Sequence, residues 1–402
     1  MFATKSRTRT RTLMLRHCIL SALLLSLASV AGAADPLEIK LIYLEEEPDR
    51  KPVFSNLVLQ PEDEGLQGAT AGIADNNTTG KFLKQSYSIE NIVIGKDDDI
   101  IAAAKVALAG PQLVVANMSA SKLAAIADLP QAQDDLIFNA GSSDTWLRDE
   151  GCRANVLHTM PSRAMLTDAL MQFFNKRKWD SVFLLTGNRD VDALYAESVK
   201  RSAKKYRVSI DHEKRWIDDA DMRRNAAAEV PGFTKARNYD ALLVADEDDD
   251  FGQFVLYNTW LPRPVAGTAG LEPVAWDPVV EQWGAAQLQS RFYELAKRPM
   301  TSLDYTAWAA VRSVGEAVTR TGATDPHTLK NYIRSEKFSL AGFKGAKMTY
   351  RQWNGQLRQP IPLVHPGSVV ALAPIEGFLH HRTTLDSLGL DEPESGCQSM
   401  DP

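Results

Sequence analysis

The most constraining feature of this sequence is a repeated alternation of short apolar runs with longer helix-like segments. Runs at residues 38–44, 112–116, 181–185 and 239–245 are rich in Val, Ile and Leu, and a segment of helical character follows each of them at a distance. Parallel strands need a crossover of a dozen or more residues, commonly a helix, so this order predicts doubly wound α/β sheets. At 402 residues the chain is long enough for two such lobes.

The first 33 residues have the pattern of an export signal. Five Lys/Arg residues precede an apolar run at residues 18–30, and Ala31-Gly32-Ala33 provides a small-residue cleavage site. A membrane anchor is the alternative, but a spanning helix needs about 20 apolar residues and this run is shorter. We therefore expect cleavage after Ala33 and a mature protein that is soluble outside the cytoplasm.

Removal of residues 1–33, which contain five basic and no acidic residues, changes the formal net charge from −6 to −11. A chain this acidic is a poor nucleic-acid binder, so no nucleic-acid partner is expected. The acidic residues occur in clusters, such as residues 45–47 and 246–250, and most such clusters are solvated loops.

The cysteine content predicts one disulfide. Cys18 lies in the expected signal, which leaves Cys152 and Cys397 in the mature chain. Two thiols in an oxidising compartment favour a disulfide. Two independent buried thiols remain the alternative.

Residues 138–179 hold a strand, a polar segment and a helix that starts after Pro161. A loop that leads from a strand into a helix N-terminus is where α/β proteins hold ligands. Residues 65–83 predict a second feature, a helix of small residues that stops at Asn76-Asn77 and turns through Gly80.

Several motifs together resemble a known family. The segments IKLIYL, LVVANMSAS, VLHTMPSRAM and VFLLTGNRD, with the helix GLQGATAGIADNNTTGKFL, resemble the type I periplasmic substrate-binding proteins of ABC transporters, branched-chain amino acid class. The longer segments NAGSSDTWLRDEGCRANVLHTMPSRAML and MTSLDYTAWAAVRSVGEAV resemble the subgroup encoded alongside alcohol dehydrogenases that use pyrroloquinoline quinone.

The resemblance implies two doubly wound parallel-sheet lobes joined by three crossings, in the Venus-flytrap arrangement, with ligand held between them. The first lobe would comprise residues 34–158 and 279–340. The second would comprise residues 159–278, completed with the tail by residues 341–402. The expected protein is a monomer that requires no cofactor and delivers a small ligand, with pyrroloquinoline quinone the leading candidate, to an inner-membrane ABC permease.

Carried over to this sequence, the resemblance places ligand-contacting residues at loop ends and at the crossing. A Glu-Glu-Glu loop follows the first strand, where amino-acid binders have a Gly/Pro-rich loop, which disfavours a free amino acid as the ligand. The expected ligand-binding residues are Glu46, Met118, Ser119, Ser142, Asp144, Trp146, Arg148, His158, Ser162, Asn188, Asp246 and Trp276.

Three of these residues have a structural alternative to ligand binding. Arg148 suits a carboxylate because guanidinium binds it bidentately, although a surface ion pair with Asp149 or Glu150 is equally compatible. Ser162 has the position of a helix cap, which we favour for its side chain over anion binding. His158 ends an apolar run, where a core histidine is the more common outcome.

Aromatic and acidic residues provide the remaining candidates. Trp146 and Trp276 could stack on a flat quinone, whereas Trp308 has the surroundings of a core residue. The run Asp246 to Asp250 offers oxygen ligands for calcium or a lanthanide, but it lacks the glycine turn and terminal glutamate of a helix-loop-helix calcium site. No metal site is therefore expected there, and uptake of a metal ion is kept as an alternative function.

No catalytic residues are expected. The sequence contains no Gly-x-Ser-x-Gly, His-Glu-x-x-His, Gly-x-Gly-x-x-Gly or phosphate-loop motif. With the export signal, this favours a binding protein over an enzyme. A periplasmic accessory protein that binds a quinoprotein dehydrogenase directly is the alternative from another class.

Overall fold

The computed structural model describes residues 36–47, 61–95, 98–216 and 222–400. The predicted signal at residues 1–33 lies outside them. Over the described ranges, no helix combines the length and the apolar character that crossing a bilayer requires.

The first lobe is built on a five-stranded sheet with the order β2-β1-β3-β4-β5. The pairs β1–β3, β3–β4 and β4–β5 are parallel, so these four strands end at the same edge. Helices pack on the apolar side chains of both sheet faces. The elements are β1 (Leu37–Glu46), α1 (Leu66–Leu83), β2 (Gln85–Ile94), α2 (Ile100–Ala107), β3 (Leu113–Asn117), α3 (Ala120–Ala127), β4 (Leu136–Asn139) and β5 (Val156–His158).

The second lobe repeats the scheme with a four-stranded parallel sheet of order β7-β6-β8-β9. The strands β6 and β8 are buried along nearly their whole length, as expected for strands covered on both faces. The elements are α4 (Arg163–Arg177), β6 (Ser181–Thr186), α5 (Asp190–Tyr206), β7 (Ser209–Arg215), α6 (Met222–Phe233), β8 (Ala241–Ala245), α7 (Gly252–Val255) and β9 (Val265–Gly267).

The last third of the chain returns to both lobes. Its helices and first hairpin strands pack on the first lobe, and the final hairpin packs on the second. The elements are β10 (Glu272–Pro273), α8 (Ala285–Ala296), α9 (Ser302–Thr321), α10 (Pro326–Arg334), β11 (Leu340–Ala341), β12 (Lys347–Tyr350), β13 (Leu357–Arg358), β14 (Ile361–His365) and β15 (Ser368–Ala373).

The chain passes between the lobes near residues 159–162, 273–276 and 358–361, which agrees with the three expected crossings. One boundary differs from the expected one. Met348, Tyr350 and Leu357 belong to the hydrophobic core of the first lobe, so that lobe extends past residue 340 to about residue 357. The irregular sequence of this segment concealed its apolar contacts.

Helix α1 also runs further than predicted. It continues through Asn76 to Leu83 because the Asn76 amide donates a hydrogen bond to the Val311 carbonyl of α9, 2.9 Å away, instead of breaking the helix. The small residues of α1 allow this close packing. A Cβ at Gly68 would lie 1.9 Å from the Asp304 carbonyl oxygen of α9.

Cys152 and Cys397 form the predicted disulfide, with a Cα–Cα distance of 5.5 Å. The bond attaches the C-terminal tail to the loop between β4 and β5. The Ser395 hydroxyl also donates to the Arg148 carbonyl, 3.0 Å away, which holds the tail against the same loop.

Candidate functional site

A cavity with a volume of about 1400 Å³ lies between the two lobes. Its first-lobe wall contains the exits of β1, β3 and β4, which the parallel register places side by side, with Glu45 opposite Asn117. Its second-lobe wall contains the exits of β8 and β9, where Val244 lies opposite Gly267. Carboxyl ends of parallel strands are the usual binding edge of α/β folds.

The lining of this cleft is strongly acidic. Of the described residues that line it, twelve are acidic and two, Arg153 and Arg163, are basic. The acidic residues are Glu45, Glu46, Glu47, Glu62, Glu64, Asp128, Asp144, Asp246, Glu247, Asp248, Asp249 and Glu272.

Both arginines of the cleft are engaged by carboxylates. Arg163 donates through Nε to both oxygens of Glu247, at 2.9 and 3.0 Å, and through Nη1 to Asp144 at 3.3 Å. Arg153 binds Asp128 through two nitrogens, at 3.0 and 2.8 Å, and lies 5.1 Å from the centre of the Trp146 ring. These pairs neutralise the positive charge that an anionic ligand would need.

Seven of the predicted ligand-binding residues line the cleft, and they come from both lobes. In the first lobe, Glu46 binds Lys122 at 2.5 Å and the Ser119 hydroxyl at 3.2 Å, and Trp146 is 44% exposed. The seven residues are Glu46, Met118, Ser119, Ser142, Asp144, Trp146 and Asp246.

Arg148, which was predicted to bind an anion, is not among the residues that line the cleft. Its side chain is buried, and its three nitrogens donate to Gln356 Oε1 and to the carbonyls of Asp144 and Met160, at 2.7–2.8 Å. Burial lowers the pKa of Arg148 to about 9, so the guanidinium remains charged at neutral pH. Arg148 thus ties the first crossing to the third.

His158 and Ser162 have the structural roles that the sequence favoured. His158 is fully buried on β5, and its Nδ1 accepts a hydrogen bond from the Asn139 amide at 3.1 Å. Burial lowers its pKa well below the usual value, so the ring is neutral. The Ser162 hydroxyl accepts from the Met165 N–H at 3.2 Å and caps α4. Neither residue is among those that line the cavity.

Asn188 and Trp276 also lie outside the cleft. Asn188 is exposed, and its carbonyl accepts a hydrogen bond from Arg215 at 3.1 Å. Trp276 is buried and stacks on Tyr305 with a centroid distance of 4.7 Å, while its Nε1 donates to Gln289. Trp308 is buried in the core, as expected. The crossing at Trp276 was correctly located, but its ring packs inward.

The acidic run after β8 organises its own loop. The Asp246 carboxylate accepts from the backbone N–H groups of Asp250, Phe251 and Gly252, at 2.7–3.0 Å. Asp248 and Asp250 form ion pairs with Arg189, at 2.9 and 2.6 Å. Within the described ranges, no three His, Cys, Asp or Glu side chains are grouped as metal ligands.

Sequence reasoning missed three residues that matter at this site. Glu64 and Glu272 line the cavity, and burial is the main cause that raises the pKa of each, that of Glu272 to about 7. Tyr195 of α5 also lines the cavity, although the chain gives no local motif for it. Of these three residues, Glu272 lies in the segment GLEPVAW, which the sequence had indicated as a crossing between the lobes.

Comparison with family models and with curated proteins gave no match. Solved structures do match. The branched-chain amino acid ABC transporter periplasmic ligand-binding protein of Burkholderia xenovorans LB400 is 14% identical, with a TM-score of 0.66 over 90% of this chain and 100% of that one.

Two further structures extend this likeness. The leucine-, isoleucine-, valine-, threonine- and alanine-binding protein of Brucella ovis, in a closed conformation, has 15% identity and a TM-score of 0.66 over 91% of this chain and 99% of that one. A solute-binding protein of an R. palustris ABC transporter, in complex with benzoate, has 12% identity and a TM-score of 0.61 over 90% and 99%. The chain therefore has the two-lobed α/β fold of the type I periplasmic binding proteins.

Proposed function

We propose that this protein is the periplasmic solute-binding component of an ABC transporter and that it binds without catalysis. The observation that carries the proposal is the cleft itself: strand-end loops of both lobes line one cavity of about 1400 Å³, and three crossings allow the lobes to close on a solute. Similar structures are described as binding proteins for amino acids or benzoate, and one is in a closed conformation.

The charge of the cleft bears on the ligand. The family resemblance favoured pyrroloquinoline quinone, an anionic and aromatic molecule. Both arginines that line the described part of the cleft already bind carboxylates, and acidic residues outnumber basic ones in this lining, which disfavours a polyanion. The cleft therefore favours a neutral or cationic solute over this quinone.

The partners follow from the same proposal. An inner-membrane permease would receive the solute, and the export signal would place the mature chain in the periplasm. The accessory function with a quinoprotein dehydrogenase was predicted to show a closed, dry cleft, whereas this cleft has a volume of about 1400 Å³ and many charged residues in its lining. Solute binding is therefore the function that the geometry supports best.

Native mass spectrometry tests the proposal directly. Protein purified gently from periplasm is expected to carry a small molecule of one reproducible mass. The Leu194→Trp variant should no longer carry this solute, because Leu194 is a half-exposed residue of the cavity lining and the larger tryptophan narrows the cleft.

Val106→Trp is the matched control, because Val106 is an exposed apolar helix residue that does not line the cavity. Its solute occupancy should equal that of the unmodified protein. A solute retained equally by both variants, or no solute in any preparation, would contradict the proposal.

A further inference from the structure

Two acidic residues of the cleft differ from the others, and the ligand class inferred from them rests on the proposed function. Glu46, Asp128 and Glu247 each form an ion pair, with Lys122, Arg153 and Arg163. Glu64 and Glu272 have no ion pair within the described part of the chain. A side-chain hydrogen bond with Thr301 and the charge of Arg298 lower the pKa of Glu64, but Arg298 is itself paired with Asp63 and Asp304, at 2.9 and 2.6 Å.

Both carboxyl groups are partly removed from water. Desolvation is the largest cause that raises the pKa of each, and Asp249 and Asp277 raise that of Glu272 further. A buried carboxylate without a cation is costly, so a bound positive charge would stabilise its ionised form. The cleft thus holds two desolvated carboxyl groups, one before α1 and one at the second crossing.

Tyr195 gives an independent indication of a ligand. Its side chain is only 3% exposed and lines the cavity, and its hydroxyl has no hydrogen-bond partner among the described residues. Glu247 and Glu272 are its charged neighbours, and the positive charge of Arg163 nearby is neutralised by Glu247 and Asp144. A buried hydroxyl left without a partner costs free energy, which a ligand N–H group in this position would recover.

Apolar side chains in the lining of the same cavity suit a hydrocarbon chain. Met118, Met160, Leu166 and Leu194 line the cavity together with the exposed face of Trp146. The volume of about 1400 Å³ exceeds what a single small amine fills. An elongated molecule that is charged at both ends and apolar between them fits this pattern.

We propose that the cleft binds an organic dication of the linear diamine class, with one ammonium group between Glu272 and Tyr195 and the other at Glu64. Each ammonium group donates to a carboxylate that has no other cation, and the first also donates to the unpaired phenol oxygen. The methylene chain lies against the methionine and leucine side chains.

Isothermal titration of the ligand-free full mature chain tests this assignment. The probes are α,ω-diaminoalkanes with four to eight carbons, butylamine, hexane-1,6-diol, CaCl₂ and LaCl₃. We expect one diamine length to bind best and butylamine to bind about tenfold more weakly, since a hydrogen bond to a charged group is lost. The diol is expected not to bind.

Three variants locate the binding. Glu272→Gln, Glu64→Gln and Tyr195→Phe should each weaken the best diamine by about tenfold, because each removes a charged or polar partner. Glu197→Gln, an exposed change on the same helix as Tyr195, should leave the affinity unchanged. Circular dichroism verifies that each variant folds. If Glu272→Gln or Glu64→Gln misfolds, Tyr195→Phe still tests the assignment, because it removes only one oxygen atom.

Diamine affinities that Tyr195→Phe and Glu272→Gln leave unchanged would overturn the assignment, as would binding of calcium or lanthanum without any diamine. Absence of diamine binding would overturn it as well. The proposed function has a separate test. If a solute of another class co-purifies with the protein and Leu194→Trp abolishes its binding, solute binding is supported and the diamine assignment is rejected.

Discussion

Arg163 and Glu247 form a bidentate ion pair at the floor of the cleft, with both carboxylate oxygens within 3.0 Å of the guanidinium. Arg163 also reaches Asp144 of the first lobe, so one side chain links the two walls next to the first crossing. Both members of the pair are mostly buried, with side-chain exposures of 8% and 19%. The pair therefore fixes the local geometry of the cleft floor. It also neutralises the Arg163 guanidinium, to which an anionic ligand would otherwise bind.

Loss of Arg163 should destabilise the protein strongly. Arg163→Gln leaves Glu247 buried without a cation, which costs about 3 kcal/mol in the free energy of unfolding. Urea denaturation followed by circular dichroism measures it. Arg320→Gln, which removes an exposed ion pair with Glu316, is the control and should have no resolvable effect. Equal stability of the two variants would contradict the assigned role of the pair.

Arg148 should behave as a structural residue rather than as a ligand contact. Arg148→Met removes three hydrogen bonds between the crossings and is expected to cost about 3 kcal/mol or more, since buried acceptors lose a charged donor. A double-mutant cycle with Gln356→Met should give a coupling energy of about 1 kcal/mol or more. Normal stability combined with loss of the co-purified solute would instead restore Arg148 to the binding site.

The disulfide should contribute to stability because it closes a separation of 245 residues. The Cys152→Ala, Cys397→Ala double variant should lose about 2–5 kcal/mol, near the upper end for a long loop. Urea denaturation with and without reductant measures the loss, and the variant should not respond to the reductant. Two free thiols in the unfolded, unreduced mature protein would exclude the bond.

Glu272 should make stability depend on pH. Its pKa in the folded protein, about 7, lies above the ordinary value, so the folded state binds more protons than the unfolded state between these values. Stability contributed by the protonated carboxyl is therefore lost as the pH rises through about 7. Glu272→Gln cannot ionise, and its gain in Tm over the unmodified protein should be larger at pH 8 than at pH 5.

Glu197→Gln serves as the control for this titration, because Glu197 is exposed on α5. Its Tm difference should be the same at both pH values. A Glu272→Gln variant with an equal Tm difference at pH 5 and pH 8 would show that Glu272 ionises as an ordinary surface carboxyl.

The sequence predicted the architecture because apolar strands and helix caps are local signals. The parallel sheets, the three crossings and the Cys152–Cys397 bond are all confirmed. Side-chain direction is a tertiary property and was predicted less well. Arg148 lies in the loop after β4 and Trp276 at the second crossing, as expected, but their side chains pack inward because Gln356 and Tyr305, distant in sequence, supply their partners.

The charge of the cleft could not be predicted for the same reason. Glu64, Tyr195 and Glu272 lie far apart in the sequence, and only the packing of the lobes brings them to one cavity. The acidic run at residues 246–250 was visible locally, yet its first carboxylate is used to cap the backbone of its own loop.

Small-angle X-ray scattering with a panel of solutes of graded charge shows whether the two lobes close on a neutral or cationic solute. The panel contains diamines, amino acids, benzoate, pyrroloquinoline quinone and calcium, and binders are first identified by thermal shift. We expect a cationic or neutral solute to raise the Tm and to lower the radius of gyration as the lobes close. Binding in the cleft would be contradicted by a solute that leaves the radius of gyration unchanged and that crystallography places outside the cleft. Stabilisation by the anionic quinone alone would contradict the preference for a neutral or cationic solute.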